Sequence, residues 1–369
     1  MAEGRTYRIM ISGGGTGGHI YPAISVAQAL NSTLSEVKIL FVGAQGKMEM
    51  RKVPDAGFEI VGLWISGIQR KLSLKNLLFP FKLVSSIFRS YQLIREFRPD
   101  VVVGFGGFAS GPLLYAAARR KIPTVIQEQN YYAGLTNKWL ADKVDRICVA
   151  YEGLEKYFPK EKLVVTGNPV RLDIKKELLN REKAMDYFNL DPSKKTLLVL
   201  GGSLGAKTIN ECVFAGLASL KEAGIQLLWQ TGSFYYDELT ALVNSKEHPN
   251  VQLRDFIREM KHAYAVADIV ISRAGALSIA ELMLTGKATI LVPSPNVAED
   301  HQTLNANALL AHEAALMVKD AEAAEKLIPT AIETLQDAEK CDQLASRIYE
   351  LAKPRAVHDI ANEIIKLTA

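Results

Sequence analysis

Ile9-Met-Ile-Ser-Gly-Gly-Gly-Thr-Gly-Gly-His19 passes from an apolar, strand-like run into a turn holding five glycines, then into a helix-like segment. A strand buried on both faces of a parallel sheet reads as one continuous apolar run. A glycine-rich turn after it lets the backbone approach a ligand, and the following helix N-terminus favours negative charge. The same order returns at Leu197-Leu-Val-Leu-Gly-Gly-Ser-Leu-Gly-Ala206. Outward from the first stretch, short runs rich in Val and Ile fall at 8–12, 38–42, 101–104, 124–127, 146–150 and 163–166. A second set follows at 196–200, 226–230, 251–253, 268–272 and 288–292. Each run leads into turn residues and a helix-like stretch, the pattern of an α/β fold with parallel sheets. Two Rossmann-like domains facing each other across a cleft are expected.

The 369 residues fit this doubling, since one domain takes roughly 150 residues. Hydrophobic residues make up 48% and charged residues 23%, which excludes disordered and fibrous classes. A net charge of +4 is too mild for general nucleic-acid binding, so any basic function is local. Cys148, Cys212 and Cys341 stand far apart without metal-ligand spacing, which fits a reducing cytoplasm. The opening residues show no secretory pattern, and no run of about 18 apolar residues occurs, so a surface-bound rather than spanning relation to any membrane is expected.

The two strand series meet at Gly167-Asn-Pro-Val-Arg171, followed by a polar stretch up to Lys195. The expected domains are therefore 1–170 and 171–354. The last segment, 355–369, has Val357, Ile360, Ile364 and Leu367 at helical spacing and should pack back on a domain surface. A helix is also expected over 338–351.

One glycine turn alone is explained by tight turning and strand-helix packing. Two, with a third at Gly104-Phe-Gly-Gly-Phe-Ala-Ser-Gly-Pro112, point to a phosphorylated ligand. Gly13 to Gly18 lacks the Lys-Ser/Thr of a P-loop, and Gly43-Ala44 follows the second strand where a NAD site places an acid. His19 is a base candidate, because an imidazole accepts a proton from an attacking hydroxyl near neutral pH. His301 reads as a loop residue. Arg171 offers a guanidinium to a diphosphate, Ser203 with its neighbouring N–H groups a phosphate seat, and Glu281 an acceptor for two ribose hydroxyls. No Asp-x-Asp pair or His/Cys cluster calls for a metal, and no cofactor is expected.

The motifs Gly13-Gly-Gly-Thr-Gly-Gly-His-Ile-Tyr-Pro22, Gly106-Gly-Phe-Ala-Ser-Gly-Pro112, Glu128-Gln-Asn130 with Ala133-Gly-Leu-Thr-Asn137, Gly167-Asn-Pro-Val-Arg171, Gly201-Gly-Ser-Leu-Gly-Ala206, Ser272-Arg-Ala-Gly-Ala276 and Asp300-His-Gln302 together resemble the MurG family in content and order. The resemblance spans nearly the whole chain. It implies the GT-B glycosyltransferase fold and an inverting transfer of N-acetylglucosamine from UDP-N-acetylglucosamine to the 4-hydroxyl of N-acetylmuramic acid in lipid I, giving lipid II and UDP. By resemblance the first domain binds the acceptor and the membrane, and the second binds the donor. His19 is then the catalytic base. Thr16, Gly17, Gly18, Asn130, Arg171, Ser203, Ile257, Ala276, Leu277, Ser278, Ile279, Ala280, Glu281 and Gln302 would bind substrate, with Asn130 and Gln302 on the N-acetylglucosamine. Gly106, Gly107 and Glu128 would bind the acceptor. Tyr131-Tyr132 are bulkier than the family pattern beside Glu-Gln-Asn.

From 60 to 95 the chain has no acid but carries Arg70, Lys71, Lys75, Lys82 and Arg89 among Leu77, Leu78, Phe79, Phe81 and Phe88. For 68–81 a contact with an anionic membrane surface is expected, at the cytoplasmic face of the bacterial inner membrane. For 84–97 a core helix with a solvated basic face is expected, kinked or interrupted near Pro80. Other cell-wall synthesis and division proteins are possible partners; nucleic acid is not. Rival functions are a glycolipid synthase with a diacylglycerol acceptor, a UDP-sugar epimerase of the same architecture, and a non-catalytic cell-division scaffold.

Overall fold

The computed structural model describes residues 5–67 and 77–368. The chain divides into two compact units, the first running to Val170 and resuming at Arg355, the second covering Arg171–Pro354.

The first unit is built on strands β1 (Tyr7–Ser12), β2 (Val37–Ala44), β3 (Glu59–Leu63), β4 (Val101–Gly104), β5 (Thr124–Glu128), β6 (Arg146–Val149) and β7 (Leu163–Val165). They form one sheet in the order β3-β2-β1-β4-β5-β6-β7, with parallel pairings throughout. Ile9, Met10 and Ile11 of β1 are wholly buried, as are Val101, Val102 and Val103 of β4, because helices cover both faces. From β1 the chain builds outward through β2 to β3 and then crosses to β4 on the other side. The carboxyl ends of β1 and β4 therefore flank a topological switch point, where α/β folds bind ligands.

The second unit repeats the plan with β8 (Thr196–Leu200), β9 (Gln226–Gln230), β10 (Val251–Arg254), β11 (Ile269–Ser272), β12 (Ala288–Leu291) and β13 (Leu316–Met317). Its order is β10-β9-β8-β11-β12-β13, again parallel, with the switch point between β8 and β11.

The C-terminal helix Ala356–Lys366 belongs to the first unit, where it packs on the helix Gly17–Thr33. Val357, Ile360 and Ile364 are buried there, each contributing about 1.5–3 kcal/mol. Two strands were not expected. β3 contains Gly62 and sits at the sheet edge, and β13 is two residues long; neither has the unbroken apolar run that marks a central strand.

The helix Phe79–Phe97 corrects the reading around Pro80. The proline lies in the first turn, where its missing N–H interrupts no helical hydrogen bond, so the helix starts there instead of kinking. Its buried residues are Ser86, Ser90, Leu93 and Ile94, while Phe81, Val84 and Phe88 are exposed. Phe81, Val84 and Phe88 of its first half thus face out of the core, while Phe79 and Leu83 pack against it. Leu77 and Leu78 are exposed just before it, and Phe79 is half-buried. Arg70, Lys71 and Lys75 lie outside the described residues.

Candidate active site

In the first unit, the turn after β1 ends at Thr16, which takes extended backbone angles and starts the helix Gly17–Thr33. Gly17, Gly18 and His19 form its opening turn. His19 folds back so that Nδ1 lies 2.9 Å from the Gly14 carbonyl oxygen and 3.3 Å from the Thr16 hydroxyl. A carbonyl only accepts, so Nδ1 carries the proton and the lone pair of the neutral ring sits on Nε2. That is the tautomer a general base requires.

The turn after β4 closes against this one. Gly106 has φ +93°, and a Cβ there would lie 3.0 Å from His19 Nε2. Gly107 has φ +87°, and a Cβ there would overlap the Gly14 carbonyl. Both glycines are thus required by positive φ and by the close approach of the first turn. They form the wall beside the imidazole.

At the end of β5 the carboxylate of Glu128 is almost wholly buried. Oε1 accepts from the Asn130 backbone N–H at 3.1 Å and from its side-chain amide at 3.3 Å. Oε2 accepts from Gly134 N–H and Asn137 Nδ2, both at 2.9 Å. Glu128, expected on the acceptor, holds the segment that presents Asn130. Gln129 Nε2 ties the same segment to the Phe105 carbonyl at 2.8 Å. Thr16, Gly17, Gly18, His19, Gly106 and Gly107 therefore come together at the β1/β4 switch point, with Asn130 on a neighbouring loop.

In the second unit, the turn 201–206 after β8 has Gly202 at φ +80° and Gly205 at φ +92°. Ser203 and Leu204 are exposed, and nothing lies within 4 Å of where a Gly202 Cβ would be. Gln230, buried at the end of β9, donates to the Gly202 carbonyl at 3.3 Å and accepts from the Ile257 N–H at 2.8 Å. It links two candidate donor-binding segments and was not singled out from the sequence. A buried polar residue at the carboxyl end of an apolar run is the signal that marks it.

After β11, Gly275 leads into the helix Ala276–Thr285. Glu281 on this helix accepts from the Tyr264 hydroxyl at 2.8 Å, and its other oxygen lies 3.4 Å from Arg171 Nε. Burial raises the Glu281 carboxyl above its ordinary range, with Arg171 and Tyr264 opposing. Tyr264 is raised well above its usual value, first by burial and then by the carboxylate. It too went unnoticed in the sequence. Arg171 thus meets the ribose candidate Glu281 while its guanidinium stays partly exposed. The Ile279 side chain is fully buried, and its N–H donates to the Gly275 carbonyl at 2.9 Å. Leu277, Ser278 and Ala280 are partly exposed on that helix and Ala276 is buried. Gln302 accepts from the Ser294 N–H at 2.8 Å, and His301 opens the helix His301–Leu310 instead of lying in a loop.

Two Rossmann-like units, each with a glycine turn at the switch point of a parallel sheet, define a protein of the GT-B fold class, and the family matches make it a glycosyltransferase. Residues 9–149 match the glycosyltransferase family 28 N-terminal domain and residues 196–363 the family 28 C-terminal domain. The UDP-N-acetylglucosamine--N-acetylmuramyl-(pentapeptide) pyrophosphoryl-undecaprenol N-acetylglucosamine transferase of Bacteroides fragilis is 53% identical over 367 residues, covering 99% of this chain and 97% of its own. The transferase of the same name from Cytophaga hutchinsonii is 53% identical over 367 residues, covering 100% and 98%. The crystal structure of Acinetobacter baumannii MurG superposes with a TM-score of 0.80 at 30% identity, over 98% of this chain and 99% of that one. The chain belongs to glycosyltransferase family 28 and, within it, to the MurG family.

Proposed function

We propose that the chain transfers N-acetylglucosamine from UDP-N-acetylglucosamine to the 4-hydroxyl of N-acetylmuramic acid in lipid I, with inversion, forming lipid II and UDP for peptidoglycan synthesis. The observation that carries the chemistry is the His19 ring, held by the Gly14 carbonyl with its Nε2 lone pair beside Gly106. Nε2 takes the proton of the attacking hydroxyl as the oxygen bonds to the anomeric carbon. The bond from that carbon to the diphosphate breaks, and its electron pair leaves with UDP. Backbone N–H groups of the turn 201–206 and the Arg171 guanidinium stabilise the charge developing on the diphosphate, while Glu281 holds the ribose. Asn130 and Gln302 contact the transferred sugar.

The acceptor in this reading is tethered to a bilayer. No helix among the described residues is long and apolar enough to cross a membrane. The enzyme therefore works as a peripheral protein on the cytoplasmic face. Exposed Leu77, Leu78, Phe81 and Phe88 enter the interface, and Arg70, Lys71 and Lys75 pair with anionic lipid.

The deciding experiment mixes purified protein, labelled UDP-N-acetylglucosamine and a short-chain lipid I analogue. Disaccharide formation with stoichiometric UDP release supports the reading. Donor consumption without acceptor would make the chain an epimerase, and transfer only to diacylglycerol would make it a glycolipid synthase. No donor turnover would leave a scaffold.

A further inference from the structure

Beneath the first glycine turn lies Glu49, a wholly buried acid that the reaction above leaves without a role. It opens the helix Glu49–Asp55, and its two oxygens point in different directions. Oε1 accepts from the Ala44 N–H at the end of β2, and Oε2 from the Gly15 N–H in the turn, both at 3.0 Å. An N–H donor faces each oxygen, and among the described residues no acceptor for a carboxyl proton meets either, which is the arrangement of a carboxylate. The chain makes room for it with glycine. A Cβ on Gly14 would overlap the Glu49 carboxyl group, and one on Gly43 would lie 2.6 Å from its Cγ. Gly43 stands where a dinucleotide site would end its second strand in an acid, and here the acid comes from six residues further on.

The Gly15 N–H that meets Glu49 and the Gly14 carbonyl that meets His19 belong to one peptide group. The sequence of contacts is carboxylate, N–H, C=O, then Nδ1–H, at 3.0 Å and 2.9 Å. An anion on the N–H side of a peptide pulls electron density toward its carbonyl oxygen, and hydrogen bonds in series strengthen one another by roughly 10–30% each. We propose that Glu49 is the positioning anion of His19, acting through the Gly14–Gly15 peptide to fix the Nδ1–H tautomer and to stabilise the imidazolium formed when Nε2 takes the acceptor's proton. The arrangement does the work of the acid in a Ser-His-Asp triad with a peptide group interposed. No proton reaches Glu49: Nδ1 keeps its own, and Nε2 holds the one removed from the hydroxyl until solvent takes it.

The inference rests on His19 being the base, and the experiment separates the two. Wild type, Glu49→Gln and His19→Ala are compared by steady-state kinetics with the lipid I analogue, by UDP titration, and by ring-nitrogen NMR. The His19 signal is assigned by its absence from His19→Ala. Expected are an Nδ1–H ring in the wild type, a shift toward Nε2–H in Glu49→Gln, and a kcat lower by about 10- to 100-fold with UDP affinity unchanged. A wild-type ring protonated at Nε2 overturns the proposal, whether or not Glu49→Gln folds. So does a Glu49→Gln enzyme with wild-type kcat, or one with reduced kcat and an unaltered tautomer, which would make Glu49 a brace of the turn alone. Near-normal turnover in His19→Ala would instead remove His19 as the base, with the tautomer result still standing.

Discussion

Replacing Glu281 with Gln keeps the side chain's shape and removes its charge, which isolates what the carboxylate does for UDP. The Tyr264 hydroxyl at 2.8 Å still finds an amide oxygen to donate to, so the packing of the helix Ala276–Thr285 persists. The ion pair with Arg171 is lost. Its 3.4 Å separation and a guanidinium 43% exposed put its worth at no more than about 1 kcal/mol. The larger loss comes with ligand: an amide nitrogen accepts nothing, so the ribose keeps at most one of two hydrogen bonds. A hydrogen bond to a charged acceptor contributes about 1 to 3 kcal/mol, so UDP should bind roughly 5- to 150-fold more weakly. Calorimetric titration of UDP into Glu281→Gln, with Tyr264→Phe as the control that keeps the carboxylate, reads this directly. The pH dependence adds a second signature. Burial raises the folded carboxyl's titration above 4.5, so above that value the unfolded chain releases a proton that the folded chain retains. Stability then falls as pH rises through this window, and Glu281→Gln, with nothing to ionise, lacks that slope. UDP affinity of the wild type should fall as pH drops into the same window, whereas the variant's stays flat. Unchanged UDP affinity in Glu281→Gln at neutral pH would refute the assignment of Glu281 to the ribose.

His19→Ala should lower turnover by about 100- to 10,000-fold with UDP affinity unaltered; near-normal turnover with a lipid I analogue at neutral pH would move the base elsewhere. Gly106→Ala forces a side chain into φ +93° against the His19 ring and should cost about 1–3 kcal/mol in a thermal melt, with turnover falling more than UDP affinity. The triple change Arg70→Glu, Lys71→Glu, Lys75→Glu should abolish salt-sensitive co-sedimentation with anionic vesicles, each basic residue contributing about 1 kcal/mol, while activity on a water-soluble acceptor analogue persists. Equal vesicle binding by both proteins would place the membrane face elsewhere.

The α/β class was legible because central parallel strands are buried on both faces and so must be apolar end to end, as at Ile9 to Ile11 and Leu197 to Val199. The edge strands β3 and β13 face fewer neighbours and need no such run, so Glu59-Ile-Val-Gly-Leu63 left no trace as a strand. The glycine turns were legible for a related reason: positive φ and close backbone approach admit little else, as at Gly106 and Gly107. Glu49, Gln230 and Tyr264 were not. Each is a single polar residue whose partners, Gly15, Gly202 and Glu281, lie 17 to 34 residues away, brought close only by the sheet order. Sequence spacing carries no such information. Glu128 shows the converse, since its motif was visible but its four hydrogen bonds to the loop it anchors were not.

The two glycine turns look interchangeable in sequence, yet their surroundings give them opposite electrostatic characters. In the first, the Gly15 N–H that would greet a phosphate donates to the buried carboxylate of Glu49, and Gly107 presses against the Gly14 carbonyl. An anion beneath the turn repels a second anion and favours a cation, which is what an imidazole becomes after accepting a proton. In the second, among the described residues, no acidic side chain bonds to the turn 201–206, space is open beside Gly202, and the helix Lys207–Ala215 begins without an acid in its first turn. Its N-terminal partial positive charge is left for a ligand, which suits a diphosphate taking on charge as it departs. One supersecondary unit thus serves two ends of a group transfer. In the proposed reaction, the carboxylate of the first unit suits its turn to proton abstraction, and the second turn, with no such acid among the described residues, suits the leaving group. The buried acid beneath the first turn thereby makes it the poorer of the two seats for a phosphate.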